Sequence, residues 1–142
     1  MHFLLQNNYL GHLAFTDGRE IFIIPITYYY EVGANFIVGY SKAGHKIETM
    51  RKHPTVSFQV EEINSANNWK SVLVHGPFVE VTGTDAKYLL HTFATGVKEI
   101  INQKENRSPQ SISEFCSDIF SSSVTVVYRI KILNMTGKQV CH

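Results

Sequence analysis

A surplus of charge of either sign is missing from this 142-residue chain. It carries 13 Lys and Arg against 12 Asp and Glu, a net of +1. A nucleic-acid binder works through a basic face, so near-neutrality removes the electrostatic case for one. Long apolar runs are also missing. The strongest stretch, Ile21 to Tyr30, is interrupted by Pro25 and Thr27. A membrane-crossing helix needs about 20 apolar residues, so none is expected. The amino-terminal MHFLLQNN has no basic flank and too short an apolar run for a secretion signal, and a cytoplasmic protein is expected. Cysteine is scarce: Cys116 and Cys141 give neither a metal-knuckle spacing nor a disulfide framework, and no metal site is expected. What is present is an ordinary globular balance, 44% hydrophobic and 18% charged, with an unusually large aromatic share of nine Phe and seven Tyr. The length fits a single domain over residues 1–142.

The first half reads as strands and tight turns. Gly11–Phe15 and Glu20–Tyr28 flank Asp17-Gly18, a strong hairpin signal. Asn35–Tyr40, Thr55–Glu62 and Trp69–Gly83 are further β-rich runs. In Val124–Leu133, Tyr128, Ile130 and Ile132 alternate with Arg129 and Lys131. Helices are predicted over Lys42–His53, stopped by Pro54, and over Thr84–Lys104, capped by Thr84 and striped at positions 89, 90, 93, 97, 100 and 101. Ser111–Phe120 is a shorter candidate, with Ser111 and Glu114 in capping-box spacing. The expected architecture is mainly β: a six-stranded antiparallel split barrel with two to three helices. The run Ile21-Phe22-Ile23-Ile24 does not alternate, so that strand calls for cover on both faces. One chain of this size has little material for a second layer, and a homodimer is expected.

Side-chain catalysis finds little support. There is no nucleophile elbow and no HExxH, the seven histidines show no ligand spacing, and Glu61-Glu62 reads as a solvated pair. Any chemistry would then be carried by a cofactor. Three features stand out. Gly39-Tyr40-Ser41-Lys42-Ala43-Gly44-His45-Lys46 joins a strand to a helix start, with a hydroxyl and cationic groups where backbone N–H donors favour an anion; it reads as a phosphate site or as a solvated turn. Pro25 within an apolar strand marks a sheet edge, or a place where a heteroaromatic ligand meets the backbone of Ile24, Ile26 and Thr27. The lone Trp69 either flanks a planar ligand or plugs a barrel end.

These segments together resemble the pyridoxamine 5′-phosphate oxidase-like flavoproteins, the FMN-binding split barrels, and in particular the small branch with the nitroimidazole-resistance proteins. The resemblance runs in order through Leu10-Gly11-His12-Leu13-Ala14-Phe15, Asp17-Gly18-Arg19, Ile24-Pro25-Ile26-Thr27-Tyr28, Gly44-His45-Lys46 and His53-Pro54-Thr55-Val56-Ser57-Phe58. It resumes at Trp69-Lys70-Ser71-Val72, Val74-His75-Gly76, Tyr128-Arg129-Ile130 and Thr136-Gly137. It implies a homodimer with FMN in a cleft between subunits. It places Lys46 on the flavin phosphate with Ser41 and His45 in the same loop, Ile24, Pro25, Ile26 and Thr27 against the ring system, and Trp69 at the border of the site. The activity implied is that of a flavin-dependent oxidoreductase with a small-molecule substrate and electron donor left unnamed. The alternative is a non-catalytic flavin or haem carrier or redox sensor. Two departures narrow it. Gly39 stands where nitroimidazole-resistance proteins often have a histidine, which speaks against nitroreduction. The carboxy-terminal substrate pattern of the true oxidases is not recognisable, which speaks against vitamin B6 oxidation.

Overall fold

The Asp17-Gly18 pair closes the first hairpin as its chemistry requires. Gly18 sits at φ 94°, in the left-handed region that a residue with a Cβ avoids. The Asp17 carboxylate accepts the N–H groups of Arg19 and Glu20, both at 2.8 Å. These bonds to Glu20 and Arg19 hold its pKa below the ordinary carboxylate value. In this computed structural model, which describes residues 1–105 and 125–141, the flanking strands are β1 (Leu10–Thr16) and β2 (Ile21–Thr27). A short β3 (Tyr29–Glu31) and β4 (Phe36–Lys42) form the next hairpin, and α2 (His45–Lys52) follows, after a first helix α1 (His2–Gln6) at the amino terminus. Then come β5 (Thr55–Ser65), β6 (Asn68–Val81), α3 (Gly83–Glu105), β7 (Thr125–Lys131) and β8 (Asn134–Cys141).

The strand order is β2-β1-β5-β6-β7-β4-β3, all neighbours antiparallel, with β8 also paired to β6. The two free ends, β2 and β3, are consecutive in sequence, so the sheet curls back but stays split between them. β6 is long enough to serve both halves: Asn68–His75 pairs with β8, and Phe78–Val81 with β7. The change of partner falls at Gly76. A Cβ there would lie 1.6 Å from the Lys131 carbonyl oxygen, so only glycine allows the approach.

Alternation sorts the side chains. Leu13, Phe15, Ile26, Tyr28, Ile37, Val56, Phe58, Val74, Tyr128 and Ile130 fill the interior, joined by Ile47 and Met50 of α2 and Leu4 and Leu5 of α1. A second cluster seats the α3 stripe, Leu89, Phe93, Val97 and Ile101, on Val38 and Val127.

The mainly β split-barrel class holds, with eight strands described where six are expected. β3 has three residues, too few to show a period, and β8 (NMTGKQVC) is polar and mostly exposed. Its strand form comes from pairing with β6 rather than from its own pattern. α2 starts at His45 because Ser41 and Lys42 still pair with β7 as part of β4. α3 starts at Gly83, so Thr84 lies in its first turn. The predicted Ser111–Phe120 helix falls outside the described residues. No helix among the described residues is long and apolar enough to cross a membrane.

Candidate functional site

Two segments separated in sequence meet where α2 begins. The Phe22 ring of β2 packs edge-on against the His45 ring at the start of α2, with centroids 5.5 Å apart. The start of β2 and the Ser41–Lys46 loop are thereby brought to one place.

The start of α2 is built to receive an anion. Gly44 is its N-cap residue and offers no side-chain cap, so the N–H groups of the first turn keep no capping partner. A Cβ at Gly44 would meet no atom within 4 Å, so the approach is open. Lys46 is half-buried one position into the helix, and burial lowers its pKa below the ordinary 10.5. Among the described residues no carboxylate pairs with it. A desolvated cation beside uncapped N–H donors is unfavourable alone and favourable with a phosphate between them. His45 is exposed at the same corner, its Nε2 3.4 Å from Thr49 Oγ1. The Ser41 hydroxyl donates to the Lys42 carbonyl oxygen at 3.0 Å, leaving its lone pairs as acceptors in this arrangement.

The β2 edge follows a strict register. Tyr28 N–H donates to the Tyr9 carbonyl at 2.9 Å and Asp17 N–H to the Glu20 carbonyl at 3.3 Å. In an antiparallel pair hydrogen-bonded residues alternate, so Phe22, Ile24 and Ile26 turn their backbone groups to β1. Ile21, Ile23, Pro25 and Thr27 turn theirs to the free edge. Pro25 therefore sits where its missing N–H costs no ladder bond. The side chains follow the same parity: Ile26 is buried and Ile24 packs on the core, while Pro25 is exposed. Of the four β2 residues expected at the site, only Pro25 and Thr27 offer backbone groups to a ligand at the edge, and Pro25 offers only its carbonyl. Ile24 and Ile26 shape the wall from behind. Ile23, outside the expected set, supplies an outward N–H, and the parity of β2 relative to Tyr28 marks it.

Gly39 has a different reason for being glycine. A Cβ there would lie 2.7 Å from the Tyr128 ring and hydroxyl, so the space of a side chain at position 39 is taken by the neighbouring strand's phenol. The Tyr128 hydroxyl is buried without a hydrogen-bond partner among the described residues, and burial raises its pKa.

Trp69 is not brought to this corner. It lies on the outer sheet face near the start of β6, opposite Ile63 and Val140 and under the Lys138 ammonium, whose Nζ is 6.0 Å from the ring centroid. The same face carries a pair with no sequence signature: Ser57 Oγ and His75 Nδ1 are 2.7 Å apart on adjacent strands. Only the β5–β6 register brings them together.

Comparison with known proteins gives a consistent picture. A family profile described as pyridoxamine 5′-phosphate oxidase matches residues 1–139. An uncharacterised protein of Rhizobium meliloti is 29% identical over 133 residues, 93% of this chain and 85% of that one. The crystal structure of a FAD-binding protein from Mesorhizobium loti superposes with a TM-score of 0.70 at 25% identity, covering 99% of this chain and 91% of that one. The flavocytochrome Anf3 of Azotobacter vinelandii shares the fold, with a TM-score of 0.70 at 16% identity over 99% of this chain and 66% of that one.

Proposed function

The chain belongs to the pyridoxamine 5′-phosphate oxidase family, and from that premise we propose that it is an FMN-binding, flavin-dependent oxidoreductase that works as a homodimer. The observation that carries this reading is Lys46: a half-buried cation, unpaired among the described residues, beside the uncapped start of α2. The flavin phosphate would lie there, held by Lys46 and the first N–H groups of the helix. The ring system would run along the free edge of β2, against the N–H of Ile23 or Thr27 and the Pro25 carbonyl, with Phe22 and His45 at the turn. When bound, the flavin supplies hydride or electron transfer, and the protein's own part is to hold, orient and shield it. FMN fits the α2 site better than FAD, because only FMN ends in a phosphate monoester. The homodimer is supported by the outer face of β1 and β2, where Leu10, Ile21 and Ile23 are 54%, 76% and 67% exposed. Exposed large apolar side chains on one sheet face favour cover by a second copy.

The test is an FMN titration. The protein should take up FMN with a dissociation constant of about 1 µM or tighter. Lys46→Ala should weaken FMN by about 10- to 100-fold, the worth of a hydrogen bond to a charged group, and leave riboflavin unchanged. A colourless protein that takes up no FMN would overturn the reading, and equal losses for FMN and riboflavin would remove Lys46 from the phosphate.

A further inference from the structure

Strand register sets two imidazoles in adjacent cross-strand rows on the outer face of the sheet. One row runs from Ile23 through Ala14 and Ser57 to His75 and Asn134. The next runs from Pro25 through His12 and Gln59 to Leu73. Residues in one row stand side by side, and those in the next row are diagonal neighbours. His12 is therefore diagonal to the exposed Ile23 and two residues from the exposed Leu10. His75 is two residues from the exposed Leu73. A second copy that covers these apolar side chains also covers both rings, which are already half-buried in the single chain.

The charge of this face is balanced only while the rings are neutral. Among the described residues β2 turns no charged group outward, β5 turns out Glu61 and β8 turns out Lys138, on either side of Ser71 in one row. These two cancel. Asp17, Arg19 and Glu20 belong to the turn beyond the last pair of β1 and β2. Glu61 is diagonal to His12. His75 has Ser57 and Asn134 beside it and Leu73 two residues along, none of them charged. Ser57 Oγ lies 2.7 Å from His75 Nδ1, so the neutral ring can accept the hydroxyl proton, whereas the imidazolium carries a proton there and must reverse the bond. In a twofold dimer each copy presents the same patch. An imidazolium on one copy therefore meets a second surplus positive charge rather than a spare carboxylate.

We infer that the homodimer is pH-gated through His12 and His75: the neutral rings are buried between the copies, and protonation drives the copies apart. The inference rests on the homodimer reading. Its sign follows from linkage. A water-poor interface without a counter-charge penalises the imidazolium, so two separate chains bind more protons than the dimer and acid favours separation. The ordinary imidazole range, centred near pH 6.5, sets the window.

The experiment is sedimentation equilibrium of the protein as purified, from about pH 8 down to about pH 5.5, with far-UV circular dichroism at each step. The dimer dissociation constant should rise by about ten-fold or more while the dichroism holds; full exclusion of one proton per chain would give about 100-fold. The double variant His12→Gln, His75→Gln keeps polar side chains and should hold its constant within about two-fold over the same range. His75→Gln alone should remove more of the response than His12→Gln alone, because Glu61 is within reach of His12 only; these single variants carry the test if the double variant does not fold. A wild-type constant that does not move with pH, or variants that keep the full response, would overturn the inference and leave the homodimer standing. Separation that coincides with loss of the dichroism would overturn it too, because acid would then act on the fold. A wild type that sediments as a monomer at the alkaline end overturns the homodimer reading itself, and this inference with it.

Discussion

Lys46 is costly without an anion and useful with one. Burial favours its neutral amine, so its folded pKa lies below the ordinary 10.5. Between those two values the unfolded chain binds more protons than the folded one. The stability of the flavin-free protein should therefore rise as pH climbs through that window. Lys46→Met should raise the flavin-free melting temperature by about 1–3 °C near neutrality and flatten the alkaline rise. With FMN present the order should reverse, because the wild type gains ligand stabilisation that the variant lacks. Scanning calorimetry against pH, with and without FMN, checks both; a variant less stable than wild type without FMN would remove the burial cost argued for Lys46. Gly39 is the other informative residue. The missing histidine was visible in the sequence, but its physical reason, a phenol from β7 in the same space, depends on a partner strand some ninety positions away.

At the scale of elements, β6 decides the architecture. Among the described residues it is the one strand that pairs with three others, β5, β7 and β8. Its change of partner at Gly76 leaves 1.6 Å between a hypothetical Cβ and the Lys131 carbonyl oxygen. Backbone has no rotamer with which to give way, so Gly76→Ala should cost about 3 kcal/mol or more, at the upper end of overpacking effects. Urea unfolding checks this, and a loss under about 1 kcal/mol would show that the crossover is looser than described. The elements with strong periods of their own, the Asp17-Gly18 hairpin, α3 and β7, were legible in the sequence. β8 was not, because its residues carry little strand preference and its form is imposed by β6.

For the whole molecule, the question is what covers the outer face of β2. The sequence showed a strand apolar on both sides, and the structure buries only one of them. Ile21 and Ile23 remain open to solvent in the single chain. If a second copy covers them, Ile21→Asp should convert dimer to monomer in analytical ultracentrifugation and weaken FMN together with it. A wild-type protein that sediments as a monomer would overturn the homodimer.

By itself the sequence determined the class of fold, the position of the first hairpin, the helix that follows β4, and the loop of hydroxyl, glycine and cations that opens it. These depend on neighbours within a few positions, where turn chemistry and hydrophobic period act directly. The tertiary structure decided which backbone groups of β2 face outward, that Trp69 stands away from the α2 corner, and that Ser57 meets His75. Each of these depends on strand register, and shifting a register by one residue exchanges the two faces of a strand without changing its composition.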